Sequence, residues 1–241
     1  MTKVAVATTS QLAADGANEV AGLGGNAVDC ALAAALTTMN TEPGVCALAG
    51  SAFITIWRPD EDPVTIDGNV AAPGRGIAEA ERGHGAESVT LDYGGGITTL
   101  VGSGSVAVPG SLAAIERAWQ LFGSARWSDL FVPVIRATRE GFPLSRACHY
   151  YLGFSGKPIF DRSEDGFAAL HDADGQLCKQ GDLVVVPHLA DSLGAIAEEG
   201  SQVFYRGELG RRISEHVRDA GGGLTREDLE RFCLLYTSPS P

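Results

Sequence analysis

The chain has 241 residues, of which 44% are hydrophobic and 20% are charged, so it can bury a sizeable core in one or two domains. Its 18 basic and 30 acidic residues give a formal net charge of −12, and no run of Lys and Arg could neutralise successive phosphates, so nucleic acid and anionic membranes are not expected as partners. The apolar run from Ala31 to Leu36 is far shorter than the roughly 20 residues that span a bilayer, so no membrane span is expected.

The N-terminal segment predicts a short buried strand over Val4 to Ala7. The sequence turns polar at residues 8–10 before any signal-peptide-like apolar region, which favours an unexported, cytoplasmic chain. The cysteines are odd in number, far apart and without a CxxC pair, which indicates free thiols in a reducing compartment. These cysteines are Cys30, Cys46, Cys148, Cys178 and Cys233.

Two helices follow. Ser10 is a plausible N-cap for a helix that continues through Val20 and ends at Gly24-Gly25. Asn26 caps a second, alanine-rich helix from Ala27 to about Met39, and Glu42-Pro43-Gly44 stops it. The small side chains of the second helix predict close packing against its neighbours.

The centre of the chain predicts a β-hairpin and then a long loop. The hairpin strands are Ala52 to Trp57 and Pro63 to Asp67, separated by a turn. Residues 74–96 are rich in glycine and charge and predict a surface loop. Further helices are predicted from Pro109, at position N1, to residue 121, over 128–140, 187–199 and 208–220, and from the capping box Thr225-Arg-Glu-Asp228.

Common chemical motifs are absent from the sequence. The stretch from Gly102 to Ala107 matches G-x-G-x-x-A, but the predicted helix starts at Pro109 and no acidic-ended second strand follows, so nucleotide binding is not expected. No His or Cys pair has metal-ligand spacing, so no metal or other cofactor is expected, and no serine lies in a G-x-S-x-G elbow. The segment from His171 to Gly175 predicts a hairpin turn. The residues alone indicate an α/β or α+β domain and name no reaction.

An ordered set of motifs resembles the gamma-glutamyltranspeptidase family over residues 4–232. The set begins with Gly24-Gly-Asn-Ala-Val-Asp29, Glu42-Pro43, a small-residue turn to Gly50, and the strand Phe53 to Trp57. It continues with Ser105-Val-Ala-Val-Pro109-Gly110, Trp127, Pro133, Glu140-Gly-Phe-Pro143, Gly181-Asp182, Phe204-Tyr205-x-Gly207-Glu208 and Gly222-Gly-Leu-Thr225-x-x-Asp228-Leu229. Because these motifs keep the family's order, they are more specific together than any one of them alone.

The resemblance implies a four-layer αββα sandwich of the N-terminal-nucleophile hydrolase type, of which this chain is an incomplete part. It also implies a precursor that cleaves itself into a large and a small subunit, and a threonine nucleophile whose own α-amine acts as base. The family's nucleophile follows the junction in a Thr-Thr-His-like signature, but the pairs at Thr8, Thr37 and Thr98 precede Ser10, Met39 and Leu100. We therefore expect no catalytic residue in this chain, a missing small subunit as its partner, and no turnover by the chain alone.

The candidate substrate-binding residues are Asn69 and Arg75. The resemblance places Asn69, in Asp67-Gly-Asn-Val-Ala-Ala-Pro73, where family members have an arginine that binds the α-carboxylate of the donor. An amide offers only neutral donors, whereas charge-assisted bonds are roughly twice as strong, which weakens the expectation of glutathione-type recognition. Arg75 could reach the same pocket because glycines flank it, but it could equally be a solvated loop charge.

Three functions remain open. The resemblance implies first a γ-glutamyl hydrolase or transferase for a small-molecule γ-glutamyl compound, and second an acylase-type amidohydrolase for a related amide. The third is an inactive scaffold fragment.

The last nine residues, Cys233 to Pro241, change composition abruptly and resemble the translation of a sequencing-library adapter, so the native segment is predicted to end at Phe232. A genuine Pro/Ser-rich linker is the alternative.

Overall fold

The structure is a computed structural model that describes residues 3–82 and 84–237. Its longer helices are α1 (Gln11–Gly22), α2 (Ala27–Thr41), α3 (Ser111–Phe122), α4 (Val132–Glu140), α5 (Arg146–Ile159), α6 (Glu164–Leu170), α7 (Leu189–Glu199) and α9 (Glu208–Asp219). Two short helices are α8 (Gln202–Tyr205) and α10 (Arg226–Glu230). The strands are β1 (Ala52–Ile56), β2 (Val64–Gly68), β3 (Glu87–Leu91), β4 (Ile97–Val101), β5 (Phe142–Pro143), β6 (Leu183–Val184) and β7 (Leu235–Thr237).

The first two helices form as predicted. The Ser10 hydroxyl accepts the amide proton of Ala13, and Asn26 caps α2 through a capping box. The prediction of a strand at Val4 to Ala7 is wrong, since this segment pairs with no strand among the described residues. Val4 and Val6 instead pack against a small cluster of helix residues in α1 and α2, so their apolar character serves helix packing.

The β1–β2 hairpin is confirmed and forms one edge of a three-stranded antiparallel sheet in the order β1-β2-β7. Ile66 of β2 is fully buried against the main core, which α3 helps to form. On the opposite side, Phe53 of β1 is 63% exposed, and Trp57, which directly follows β1, is 77% exposed. The sheet therefore has one face covered by helix and one open face that exposes two large apolar side chains among polar ones.

Residues 74–96 are not a continuous loop as predicted, because β3 lies within them and pairs with β4. The β-branched residues Val89 and Thr90 favour a strand, but the surrounding glycines and charged residues obscure its alternation of apolar and polar residues. The turn to β4 uses Gly94, Gly95 and Gly96, all with positive φ. Gly83 of this stretch lies outside the described residues.

Two helix boundaries differ from the prediction. Pro109 does not occupy N1 of α3, because the helix begins two residues later, at Ser111 with Gly110 as its N-cap, where the amides of both residues donate to the carbonyl of Gly50. The predicted helix over 128–140 is divided into a 3₁₀ turn at Trp127–Leu130 and α4. Pro133 explains the break, since proline lacks an amide proton and clashes with the carbonyl four residues before it.

The remainder of the chain is mostly helical. Helices α7, α9 and α10 confirm the predicted elements, and the Thr225 capping box is present. The turn predicted at His171 to Gly175 is confirmed by a β-bridge between His171 and Leu177. Helices α5 and α6 and the β5–β6 pair lie in a stretch for which no element was predicted, and they contribute to a second core that includes Phe142. The mixed helix-and-sheet class is confirmed.

The C-terminal segment from Cys233 includes β7, whose backbone pairs with β2 at Thr65, Ile66 and Asp67. Residues 238–241 lie outside the described residues. The native boundary at Phe232 therefore stays a prediction. Among the residues that the structure describes, no helix has the length and hydropathy of a bilayer span.

Candidate substrate-binding loop

The loop that carries Asn69 and Arg75 starts at the end of β2, where two glycines allow close contact with α3. A Cβ atom on Gly68 would lie 2.7 Å from the carbonyl oxygen of Gly110, at the N-cap of α3, and would also collide with the Cβ of Ala114. Ala71 then forms a β-bridge with Val108, through two hydrogen bonds of 2.9 and 3.0 Å. The first half of the loop is thus fixed against the segment that leads into α3.

Asn69 is exposed, and its side-chain orientation is fixed by its neighbours. Its Oδ1 accepts hydrogen bonds of 2.9 Å from the Ser51 hydroxyl and from the Val70 amide. The Val70 amide can only donate, so this contact assigns the orientation of the Asn69 side chain. The Nδ2 group makes no hydrogen bond within the described part of the chain, which leaves two neutral donors for a ligand oxygen.

Arg75 lies on the other half of the loop, beside Asp228 at the start of α10. The amides of Gly74 and Arg75 donate to the Asp228 carboxylate at 2.8 and 3.0 Å. The Arg75 guanidinium Nε lies 3.9 Å from the same carboxylate, and its side chain is 55% exposed. Gly74 and Gly76 have φ of +112° and +74°, so the flanking glycines are needed for this turn. Because the guanidinium is half-exposed and the contact is long, this ion pair stabilises the fold by at most about 1 kcal/mol.

Asp228 is almost fully buried, and it also accepts hydrogen bonds of 2.9 Å from the amide and the hydroxyl of Thr225. Burial opposes ionisation of this carboxyl, but the hydrogen bonds from Gly74, Thr225 and Arg75 outweigh it and hold its pKa below the usual range. A buried, ionised carboxylate therefore joins α10 to a loop 153 residues earlier in the chain.

The structure thus places the two predicted residues on one loop but gives them different partners, Ser51 for Asn69 and Asp228 for Arg75. It shows no direct contact between them among the described residues, and their roles in substrate binding stay predictions. Sequence reasoning missed Ser51 as a partner and the second function of Asp228. The only signal for Asp228 was its place in the capping box, which predicts a local bond and not a distant one.

The threonine pairs considered as nucleophiles have structural contacts. Thr37 donates its hydroxyl to the carbonyl of Ala33 within α2, and Thr98 shares a hydrogen bond with Thr90 across the β3–β4 pair. Thr9 donates to the Glu42 carboxylate. Within residues 3–82 and 84–237, no group of three or more His, Cys, Asp and Glu side chains could hold a metal ion.

Comparison with known proteins gives the family. The family model described as gamma-glutamyltranspeptidase matches residues 13–240, and the chain therefore belongs to the gamma-glutamyltranspeptidase family. Glutathione hydrolase proenzyme 1 of Schizosaccharomyces pombe is 30% identical over 90% of this chain and 32% of its own length. The glutathione hydrolase proenzyme of Bacillus subtilis is 27% identical over 97% of this chain and 39% of its own length. The chain thus spans about a third of the length of these curated relatives.

Solved structures agree with this assignment. The gamma-glutamyltranspeptidase from Pseudomonas nitroreducens, complexed with L-DON, has a TM-score of 0.80 and 28% identity, and the match covers 98% of this chain and 66% of that one. A cephalosporin acylase from Bacillus halodurans has a TM-score of 0.76 and 26% identity over 95% of this chain and 42% of that one. The expected N-terminal-nucleophile hydrolase fold, present here in part, is therefore confirmed.

Proposed function

We propose that this chain is the N-terminal part of the large subunit of an enzyme that cleaves or transfers a γ-glutamyl amide, through a threonine nucleophile outside the chain. The observation that carries the proposal is the family match over residues 13–240, in a chain whose predicted donor-binding position lies at the end of β2. The curated relatives are named glutathione hydrolases, which supports the same reaction class.

A small subunit is the proposed partner of this chain. In the family architecture a second sheet packs on the first, and the open face of β1 exposes Phe53 and Trp57. Exposed apolar side chains on one face of a sheet favour association. We therefore expect Phe53 and Trp57 to become buried in the complete, self-cleaved protein, which tryptophan fluorescence would report as a blue shift relative to the 241-residue chain.

Substrate recognition is proposed to differ from that of typical members because Asn69 replaces their arginine. The free Nδ2 group of Asn69 can donate to a carboxylate or to a neutral oxygen, but without the charge of a guanidinium. We expect Asn69→Arg in the complete precursor to raise kcat/KM for a γ-glutamyl anilide by about 10-fold. The matched 4-aminobutyryl anilide, which keeps the amino group but lacks the α-carboxylate, measures any general change in activity.

An acylase-type amidohydrolase is the second candidate. It is favoured by Asn69 and by the similarity to the cephalosporin acylase of B. halodurans. In the complete precursor, faster turnover of a glutaryl anilide than of the γ-glutamyl anilide would support this candidate. The opposite order would support the γ-glutamyl reaction, and absence of both activities would contradict both.

The 241-residue chain alone is proposed to be an inactive scaffold fragment. Its purified form should neither cleave itself nor release aniline from either substrate, and turnover by this chain would contradict the proposal.

We also propose that the native segment ends at Phe232. Genomic sequence that continues from Phe232 into Cys233 and the following residues would show that the tail is native.

A cytoplasmic location is proposed as well. The thiols of Cys30, Cys148 and Cys178 are buried and free, and burial raises the pKa of each, which fits stable thiols in a reducing compartment. Cell fractionation of the complete gene product tests the location, and recovery outside the cytoplasm would contradict it.

A further inference from the structure

A cavity of about 380 Å³ lies where the N-terminal ends of α1 and α5 meet the C-terminal end of α2. Its wall includes both charged and apolar side chains, and no step of the proposed reaction uses it. The residues on which the argument depends are Thr9, Leu12, Glu42, Leu144 and Arg146.

The α2 side of the cavity is negative. Glu42, at the C-cap of α2, is only 4% exposed. Its Oε1 accepts a hydrogen bond of 3.2 Å from the Thr9 hydroxyl, while its Oε2 has no hydrogen bond and no ion pair in the described part of the chain. This Oε2 is not fully buried and so is open to the cavity, but a carboxylate with so little exposure and no cation beside it is costly, and the negative end of the helix dipole adds to the cost. A positively charged ligand group would remove this cost.

The α1 and α5 side of the cavity is positive. Helix N-termini carry a partial positive charge, and their first amide protons have no partner within the helix. Ser10 and Ser145 each cap one later amide of their helix and leave the first ones free of that contact. Arg146, the first residue of α5, forms no ion pair among the residues that the structure describes. A carboxylate would be attracted to this side.

We propose that this cavity binds an α-amino acid as the zwitterion. The ammonium group contacts Glu42, the carboxylate faces Arg146 and the two helix ends, and an apolar side chain packs on Leu12 and Leu144. The volume is sufficient for one amino acid of moderate size. The proposal is independent of the proposed function because it needs neither the nucleophile nor the small subunit.

Calorimetric titration of the folded 241-residue chain with three related ligands tests the charge requirement. L-leucine carries both charges, L-leucinamide lacks the carboxylate, and isocaproate lacks the ammonium group. We expect L-leucine to bind most tightly, L-leucinamide more weakly and isocaproate not at all. Absence of L-leucine binding at millimolar concentration, or equal binding of isocaproate, would overturn the proposal.

Two variants locate the site. Glu42→Gln keeps the shape and the acceptor for Thr9 but removes the charge, so it should weaken L-leucine binding by about 10-fold or more. Glu198→Gln, at an exposed position of α7, is the matched control and should bind L-leucine as the parent chain does. Arg146→Gln should weaken binding of L-leucine but not of L-leucinamide. Equal affinities in the Glu42 and Glu198 variants would overturn the assignment, and if Glu42→Gln does not fold, the three-ligand comparison and Arg146→Gln still decide.

Discussion

Two capping boxes, at the starts of α2 and α10, both cap their own helix, but each also binds a different distant segment of the chain. Asp29 and Asp228 both occupy position N3, and both are buried. Asp29 also accepts hydrogen bonds from the amides of Ser124 and Ala125, in the connection that follows α3. Asp228 accepts them from Gly74 and Arg75, in the candidate substrate-binding loop. The same motif thus supports the core in one place and the site in the other.

Removal of Asp29 should have the largest effect on stability. Asp29→Ala leaves the amides of Asn26, Ser124 and Ala125 without their acceptor beside a buried helix start, so we expect a loss of about 3 kcal/mol in the free energy of unfolding. Urea denaturation measures it. Asp62→Asn, in the exposed turn of the β1–β2 hairpin, is the control and should change stability by less than about 0.5 kcal/mol.

Removal of Asp228 should cost less stability and act mainly on the loop. Asp228→Ala frees the amides of Gly74 and Arg75, so we expect a loss of about 2 to 3 kcal/mol and faster tryptic cleavage after Arg75. Mass spectrometry of a timed tryptic digest measures the cleavage. The digest contains no denaturant and is run well below the unfolding temperature. Asp219→Asn, at the exposed end of α9, should leave the cleavage rate unchanged. Equal cleavage in Asp29→Ala and Asp228→Ala would contradict the distinction between the two boxes.

The pH dependence of stability should identify the Asp228 carboxylate. Because its pKa is lower in the folded chain than the unfolded value of about 3.9, it stabilises the fold above that value and loses its contribution as the pH falls through the folded pKa. Asp228→Asn should therefore reduce the loss of stability as the pH falls below about 4. Denaturation curves at each pH test this, and parallel curves for parent and variant would contradict it.

The smallest effect on stability is expected at Ser51. Ser51→Ala removes the hydroxyl that donates to Asn69, on an exposed loop, so stability should change by about 0.5 kcal/mol or less. In the complete precursor, however, the Asn69 amide would lose its fixed orientation, so KM should rise with kcat unchanged. Ser88→Ala, on exposed β3, is the control for both measurements. An unchanged KM would show that Asn69 does not need Ser51.

The hydrogen bonds within both capping boxes could be predicted from the sequence, but the bonds from the two aspartates to distant segments could not. Asn26 and Thr225 are good N-caps at the start of helical patterns, so the helix starts at Ala27 and Arg226 follow from neighbouring residues. The bonds from Asp228 to Gly74 and Arg75 depend on how the chain folds over 153 residues, which no local pattern encodes. The position of Asn69 came from the family resemblance, but its partner Ser51 became visible only in the structure.

The elements that sequence reasoning missed have a common physical cause. Strand β3 lies among glycines and charges that weaken its alternation, and α5 contains Gly153, Gly156 and Pro158, which are poor helix formers. Tertiary packing overrides these propensities, since Leu152 and Cys148 of α5 are buried in the second core. Where the sequence carried a strong period, as in α9, the predicted and observed bounds agree within one residue.

The contact between Gly68 and Gly110 has a consequence for protein engineering. Because these glycines fix where the loop begins, and Asp228 fixes where it ends, the intervening residues 69–72 form a segment that could be exchanged as a cassette. If Asn69 binds the donor as proposed, we expect that transplanting the corresponding four residues from a glutathione hydrolase, with both anchor points retained, changes donor preference without redesign of the surrounding scaffold.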